Sequence, residues 1–341
     1  MSPSPPLPAP RGPLTGRLVE ILRTPAGSAE LPTAAGLDPW GEDAQLALYV
    51  ALELRYRGFA GVDPAWEDDS SLAELARTLG DRFLDAVRVE VGPVDARTPA
   101  DVRAALLAAA DSDGPSLSGW MEERGTLDHL REFATHRSLY QLKEADPHSW
   151  AVPRLPAGRA KAAFVEIQAD EYGNGRPGEA HQELFAATLR CVGLDDHYGA
   201  YLDLAPAPTL ATVNLLSLFG ASRRWLGACV GHLALFEMTS VGPMGRYARA
   251  VRRLTGSEEG ARFYDVHVLA DQHHQHLGLD GMAVPFAADE PAMAADIVFG
   301  ARALGVVEGR FTEHLLARWR GGRTSLRRPL PRQGRNARAA A

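Results

Sequence analysis

FYDVHVLADQHHQHLGLDG, residues 263–281, packs four histidines and three aspartates into nineteen positions. Successive residues of an α-helix are rotated by about 100°, so His267, Asp271 and His274 fall within an arc of roughly 60° on one face. One carboxylate and two imidazoles converge there, while His273 and His276 point elsewhere. Histidines at helical spacing are also common as satisfied surface or core residues. The triplet therefore gains meaning only if other segments deliver further carboxylates and histidines to it.

Outward from this stretch, the chain repeats one pattern. Apolar residues recur at helical spacing in residues 42–59, 70–91, 99–112, 116–146, 158–173, 178–194, 207–220, 222–254, 259–277 and 290–320. No run alternates as a strand would. The connections are short and rich in Gly, Pro and Asp, and no break in composition divides residues 38–320. The pattern predicts one all-α domain over residues 38–320, a helical bundle, between a disordered leader (1–37) and a basic disordered tail (321–341).

Composition narrows the class. With 45% hydrophobic and 23% charged residues among 341, the chain is ordinary for a globular protein. No apolar run approaches the roughly 18 residues of a membrane span. The opening MSPSPPLPAPRGPLTGR has Pro and Ser where a signal peptide needs an apolar segment, which predicts a cytoplasmic protein. Two cysteines, Cys191 and Cys229, form neither a disulfide framework nor a thiolate metal motif. Any metal must take nitrogen and oxygen ligands. Residues 318–341 carry eight arginines and no acid, so the remainder has a net charge of −7 − 8 = −15. The Gly, Pro and Ala content of that tail marks a solvated end rather than a nucleic-acid site.

Two further segments supply candidate ligands. In EIQADEYGNGRPGEAHQELF, Glu171 precedes a Gly/Pro-rich break and His181 follows it. One straight helix would set them about 15 Å apart along its axis, whereas a break at Gly173, Gly175, Pro177 and Gly178 lets the chain fold back. Glu166, Asp170 and Glu179 compete nearby, and spacing does not rank them. In GHLALFEMTSV, Glu237 sits among strongly apolar neighbours and requires a cation or a hydrogen-bond network, because an unpaired buried carboxylate is costly. His232 lies about 140° round the same helix from Glu237, so it reads as a core or surface histidine. Glu171, His181, Glu237, His267, Asp271 and His274 together make three carboxylates and three imidazoles. Such a set suits iron or manganese, and bundle interiors are where carboxylate-bridged pairs of metal ions are built.

The order E-x9-H, then E, then H-x3-D-x2-H resembles the haem-oxygenase-like diiron oxidase and oxygenase superfamily. YQLKEADPHSW, DEYGNGRPGEAHQELF and GHLALFE are similar to stretches of its iron-containing redox enzymes, so the likeness covers roughly residues 40–320. It implies a haem-oxygenase-like all-α fold that binds two non-haem irons through the six residues above and uses O2 as co-substrate. Members oxygenate amine nitrogens, cleave C–C bonds with loss of carboxylate, or attack their own side chains. For this chain the resemblance implies a small amine- or carboxylate-bearing substrate, and it accommodates an external electron donor and a homodimer. Residues beside Glu237 and the pair Phe263 and Tyr264 are candidate pocket walls. The rival readings are a non-catalytic iron-binding bundle and a haem-using or cofactorless relative of the same fold.

Overall fold

The computed structural model describes residues 4–28, 30–34, 36–111 and 114–331. Its elements are α1 (Pro13–Ile21), α2 (Glu42–Glu53), α3 (Ser70–Val91), α4 (Pro99–Ala110), α5 (Leu117–Arg124), α6 (Leu127–Gln141), α7 (Asp146–Ser149), α8 (Arg159–Glu171), α9 (His181–Cys191), α10 (Ala207–Ala221), α11 (Leu226–Thr255), α12 (Glu258–His276), α13 (Val284–Asp289) and α14 (Ala294–Arg320). There is no strand among the described residues, and the protein is an all-α bundle as expected. None of these helices is long and apolar enough to cross a membrane.

Local chemistry sets the boundaries. Asp69 accepts from the Leu72 amide at the start of α3, Thr98 and Asp101 form a reciprocal cap on α4, and Ser257 caps α12. The stretch 116–146 breaks into α5, α6 and the short α7. Its first break falls at Gly125, where a side chain would collide with Met121. At 30 residues α11 is the longest helix and the axis of the fold, with α12 along one flank and α14 along another. α11 and α14 cross closely: a Cβ on Gly231 would overlap the Ile297 carbonyl, and one on Gly300 the Ala228 backbone. After α12 the chain passes through a π-helical turn, Leu277–Ala283, that packs on α11.

Both ends depart from the expectation of disorder. The Pro-rich leader carries α1, whose Leu14, Leu18 and Ile21 join the core with Leu22. Asp43 accepts hydrogen bonds from the Leu14 and Thr15 amides and fixes the helix start. At the other end Ser325 and Leu326 are buried. Ser325 donates to Glu132 at 2.7 Å, lies 2.9 Å from His136 Nε2, and its carbonyl meets His314 Nε2 at 2.8 Å. The arginine count hid this anchor. Residues 332–341, the rest of the basic tail, lie outside the described residues.

Candidate metal centre

All six sequence-derived candidates are buried and brought to one place, and a seventh residue joins them. Glu144, Glu171, His181 and His267 form one group whose potential ligand atoms lie within 4.8 Å of one another, and Glu237, Asp271 and His274 form a second. Glu144, Glu171, His267, Glu237 and Asp271 line a single small cavity, so the two groups are neighbours.

The first group depends on a reversal of chain direction. Glu171 ends α8, and a tight turn through Gly173, Asn174 and Gly175, all with positive φ, returns the chain so that His181 opens α9. A Cβ on Gly173 would strike the backbone of Glu179 and Ala180, so the return path passes too close for any side chain there. The result is a 2.8 Å contact between His181 Nδ1 and Glu171 Oε2. His267 stands 3.7 Å from Glu144 through its Nε2, and its Nδ1–H donates to the Phe263 carbonyl at 2.8 Å. That bond leaves Nε2 to face the group.

The second group is held in the same way. His274 Nε2 meets Asp170 Oδ2 at 2.8 Å, while Nδ1 faces Glu237 at 3.3 Å and Asp271 at 3.5 Å. Ser240 donates to the other Asp271 oxygen at 2.5 Å. Asp170, one of the competing acids beside Glu171, thus orients an imidazole. Glu166 pairs with exposed His273 instead, and Glu179 with Arg262. His276 is exposed, and His232 is a core histidine whose Nδ1 lies 3.3 Å from His148 Nε2.

Glu144 is the residue that spacing missed. It sits between α6 and α7, next to Ala145 in a left-handed conformation (φ 72°), and 27 positions from Glu171. No helical repeat connects it to another donor. The criterion that singled out Glu237, an acid in an apolar context, passes over it, because in YQLKEAD it stands among Gln141, Lys143 and Asp146, and only the fold buries Lys143 and Glu144. Lys143 is neutralised by Glu53 at 2.8 Å, which leaves Glu144 to its own cluster.

The electrostatics describe a site short of positive charge. Burial, reinforced by Glu171, lifts the Glu144 carboxyl above its usual range. Burial also pushes Glu237 up to about 8, with Asp271 and Glu171 adding to it. Burial disfavours the His267 and His274 cations, yet the carboxylates prevail. Glu144 chiefly raises His267 to about 10, and Asp271 with Glu237 raises His274 to about 11. Glu144 Oε2, Asp271 Oδ1 and His274 Nδ1 are buried with no hydrogen-bond partner among the described residues. Four carboxylates, three imidazoles and three orphaned ligand atoms are the chemistry of a divalent metal site with nitrogen and oxygen donors. The residues present therefore fit bound iron.

Comparison with known proteins agrees with this reading of the fold. The profile of a family described as iron-containing redox enzyme matches residues 131–305, just over half of the chain. A nitrosourea synthase of Streptomyces achromogenes subsp. streptozoticus is 26% identical over 212 residues, covering 62% of this chain. The match spans 42% of that relative's own length. The chain belongs to the iron-containing redox enzyme family.

Proposed function

We propose that this member of the iron-containing redox enzyme family is a non-haem diiron oxidase or oxygenase that uses O2 to oxidise a small amine- or carboxylate-bearing metabolite. The observation that carries the reading is the gathering of seven buried nitrogen and oxygen donors into two neighbouring groups, five of them lining one cavity and three with orphaned ligand atoms. Glu144, Glu171, His181 and His267 would hold one iron, and Glu237, Asp271 and His274 the other. Three carboxylates would leave two Fe(II) ions with a net charge of +4 − 3 = +1, whereas Glu144 makes the balance +4 − 4 = 0. The buried centre is then neutral.

When bound, the iron pair supplies the electrons and Lewis acidity that O2 reduction requires. The protein positions its donors and excludes water. Phe263 and Asp170 each fix one imidazole tautomer through the nitrogen that faces away from the cluster. Ser240 holds Asp271 by one oxygen and leaves the other directed at the cluster. Phe236 and Leu233 form apolar walls of the same cavity. The oxidised nitrogen of the product for which the nitrosourea synthase is named favours nitrogen oxygenation over C–C cleavage. Two free cysteines suit a reducing cytoplasm.

The test is anaerobic loading with Fe(II), then mixing with O2 with and without candidate amines and carboxylic acids. We expect about two irons per chain, a transient visible absorption band, and O2 uptake that accelerates with a substrate. Uptake indifferent to every added substrate would identify an iron-binding bundle without catalysis. Failure to bind iron would remove the reading altogether.

A further inference from the structure

The cavity lined by members of both donor groups measures about 10 Å3, the space of a single water molecule. It shares Phe236 and Ser240 with a chamber of about 660 Å3 whose walls include Phe263 and Tyr264, as the sequence suggested. The small cavity is thus the inner end of a larger space. Gln168 on α8, 4% exposed, belongs to its wall and is not among the candidate ligands.

The two ends of the Gln168 amide meet different surroundings. Ser149, outside the cavity wall, donates to Gln168 Oε1 at 3.0 Å. Ser149 is itself held 3.1 Å from the Tyr172 hydroxyl, which donates to Asp146 at 2.8 Å. Gln168 Nε2 is buried with no hydrogen-bond partner among the described residues. The reverse orientation would turn the amide oxygen towards Glu144, Glu171, Glu237 and Asp271, so the charge of the wall sets the NH2 group inward. Glu144 Oε2 and Asp271 Oδ1 are orphaned acceptors of the same wall, yet Gln168 reaches neither. Once coordinated to a metal, those oxygens are no longer acceptors at all. Gln168 Nε2 is then a stranded buried donor, which is costly unless a further acceptor enters the gap.

We propose that Gln168 donates a hydrogen bond to a small anion, one oxygen or halide atom in size, that completes the metal centre; this rests on the metal-centre reading above. Gln168 is then a catalytic residue, because it touches the bound ligand. Ser149 is the positioning residue that keeps the amide turned. A hydrogen bond to a charged acceptor is roughly twice as strong as one to a neutral acceptor, so Gln168 favours an oxygen ligand in its charged form.

The full chain is loaded with Co(II), and fluoride, a one-atom anion that accepts hydrogen bonds strongly, is titrated in while the visible absorption of the metal is followed. We expect saturable binding in the parent, weakened about tenfold in Gln168→Met and by a smaller factor in Ser149→Ala. Co(II) stoichiometry, Co(II) affinity by chelator competition and helical content should be unchanged in both. The proposal is overturned if the parent binds no fluoride, or if Gln168→Met binds it as tightly as the parent. It is equally overturned if Gln168→Met loses Co(II) affinity by the same factor, which would make Gln168 a support of the metal ligands. Should Gln168→Met alter the helical content, Ser149→Ala decides: weakened fluoride binding supports the proposal and parental binding overturns it. A parent that takes up no Co(II) would sink the metal-centre reading and this proposal with it, whereas metal uptake with fluoride binding indifferent to Gln168 sinks this proposal alone.

Discussion

A histidine becomes a metal ligand through the nitrogen it does not offer. His274 presents Nδ1 to Glu237 and Asp271 because Nε2 is engaged by Asp170, and His267 presents Nε2 because Nδ1 is engaged by Phe263. Losing such an outer partner commonly costs about 10- to 100-fold in metal affinity. Asp170→Ala should therefore weaken one ion by that factor, read by competition with a Co(II) chelator, and Asp170→Asn, which keeps an acceptor oxygen, should lose less. Equal loss in both would mean that the carboxylate charge, not the tautomer, matters. His267→Ala and His274→Ala act on different groups, so each should remove about one iron of the expected pair by metal analysis, with exposed His276→Ala as the control. Retention of both irons in either variant would remove that histidine from the ligand set. The triplet on α12 was legible because helical rotation fixes which side chains share a face. Glu144 was not, since its place depends on a left-handed residue between two helices rather than on a period.

Elements carry the site by where they stop as much as by how they run. The break between α8 and α9 was visible as glycines and a proline, and its consequence, Glu171 beside His181, followed. Gly173→Ala would force a side chain into a positive φ and against the Glu179 and Ala180 backbone. We expect a loss of about 1 to 3 kcal/mol in urea unfolding and a larger proportional loss of iron, because His181 begins the displaced helix. Undiminished iron content in a destabilised variant would separate the turn from the centre. Helix bounds such as those of α3 agree with the periodicity because caps and apolar rows coincide there. The leader misled for the opposite reason. Leu14, Leu18, Ile21 and Leu22 have helical spacing, but the prolines before them suggested a chain with no structure. Proline at the first helical position starts a helix rather than preventing one.

At the scale of the molecule, the bundle stores protons where cations belong. His267 and His274, raised to about 10 and about 11, are charged in the metal-free protein near neutrality. Ligating imidazoles must be neutral and ligating carboxylates ionised, and Glu237, pushed up to about 8, also holds its proton near neutrality, so loading should release about three protons, and affinity should fall as pH falls. Proton release in weakly buffered dye solution is the check, and none at pH 7 would contradict it. The two imidazolium protons stabilise the metal-free fold fully below about pH 6.5, and that contribution is lost as pH rises towards the raised values. Melting temperature in chelator should therefore decline from pH 6.5 to 9. The C-terminal segment is a second global constraint: deleting residues 322–341 removes Ser325 from Glu132 and His136. We expect a loss of about 1 to 3 kcal/mol from the stranded buried groups, whereas deleting only 332–341 should preserve the melting temperature. Equal stability of both truncations would show the anchor to be idle. Finally, the donors are drawn from residues 144 to 274, while one helix alone carries His267, Asp271 and His274. On the proposed assignment that local trio serves two different ions. A metal captured by the isolated helix during synthesis would hold residues of both allegiances and would have to release one before the bundle could close. Assembly is therefore cleanest when the chain folds first, with protons as placeholders, and meets its metal afterwards.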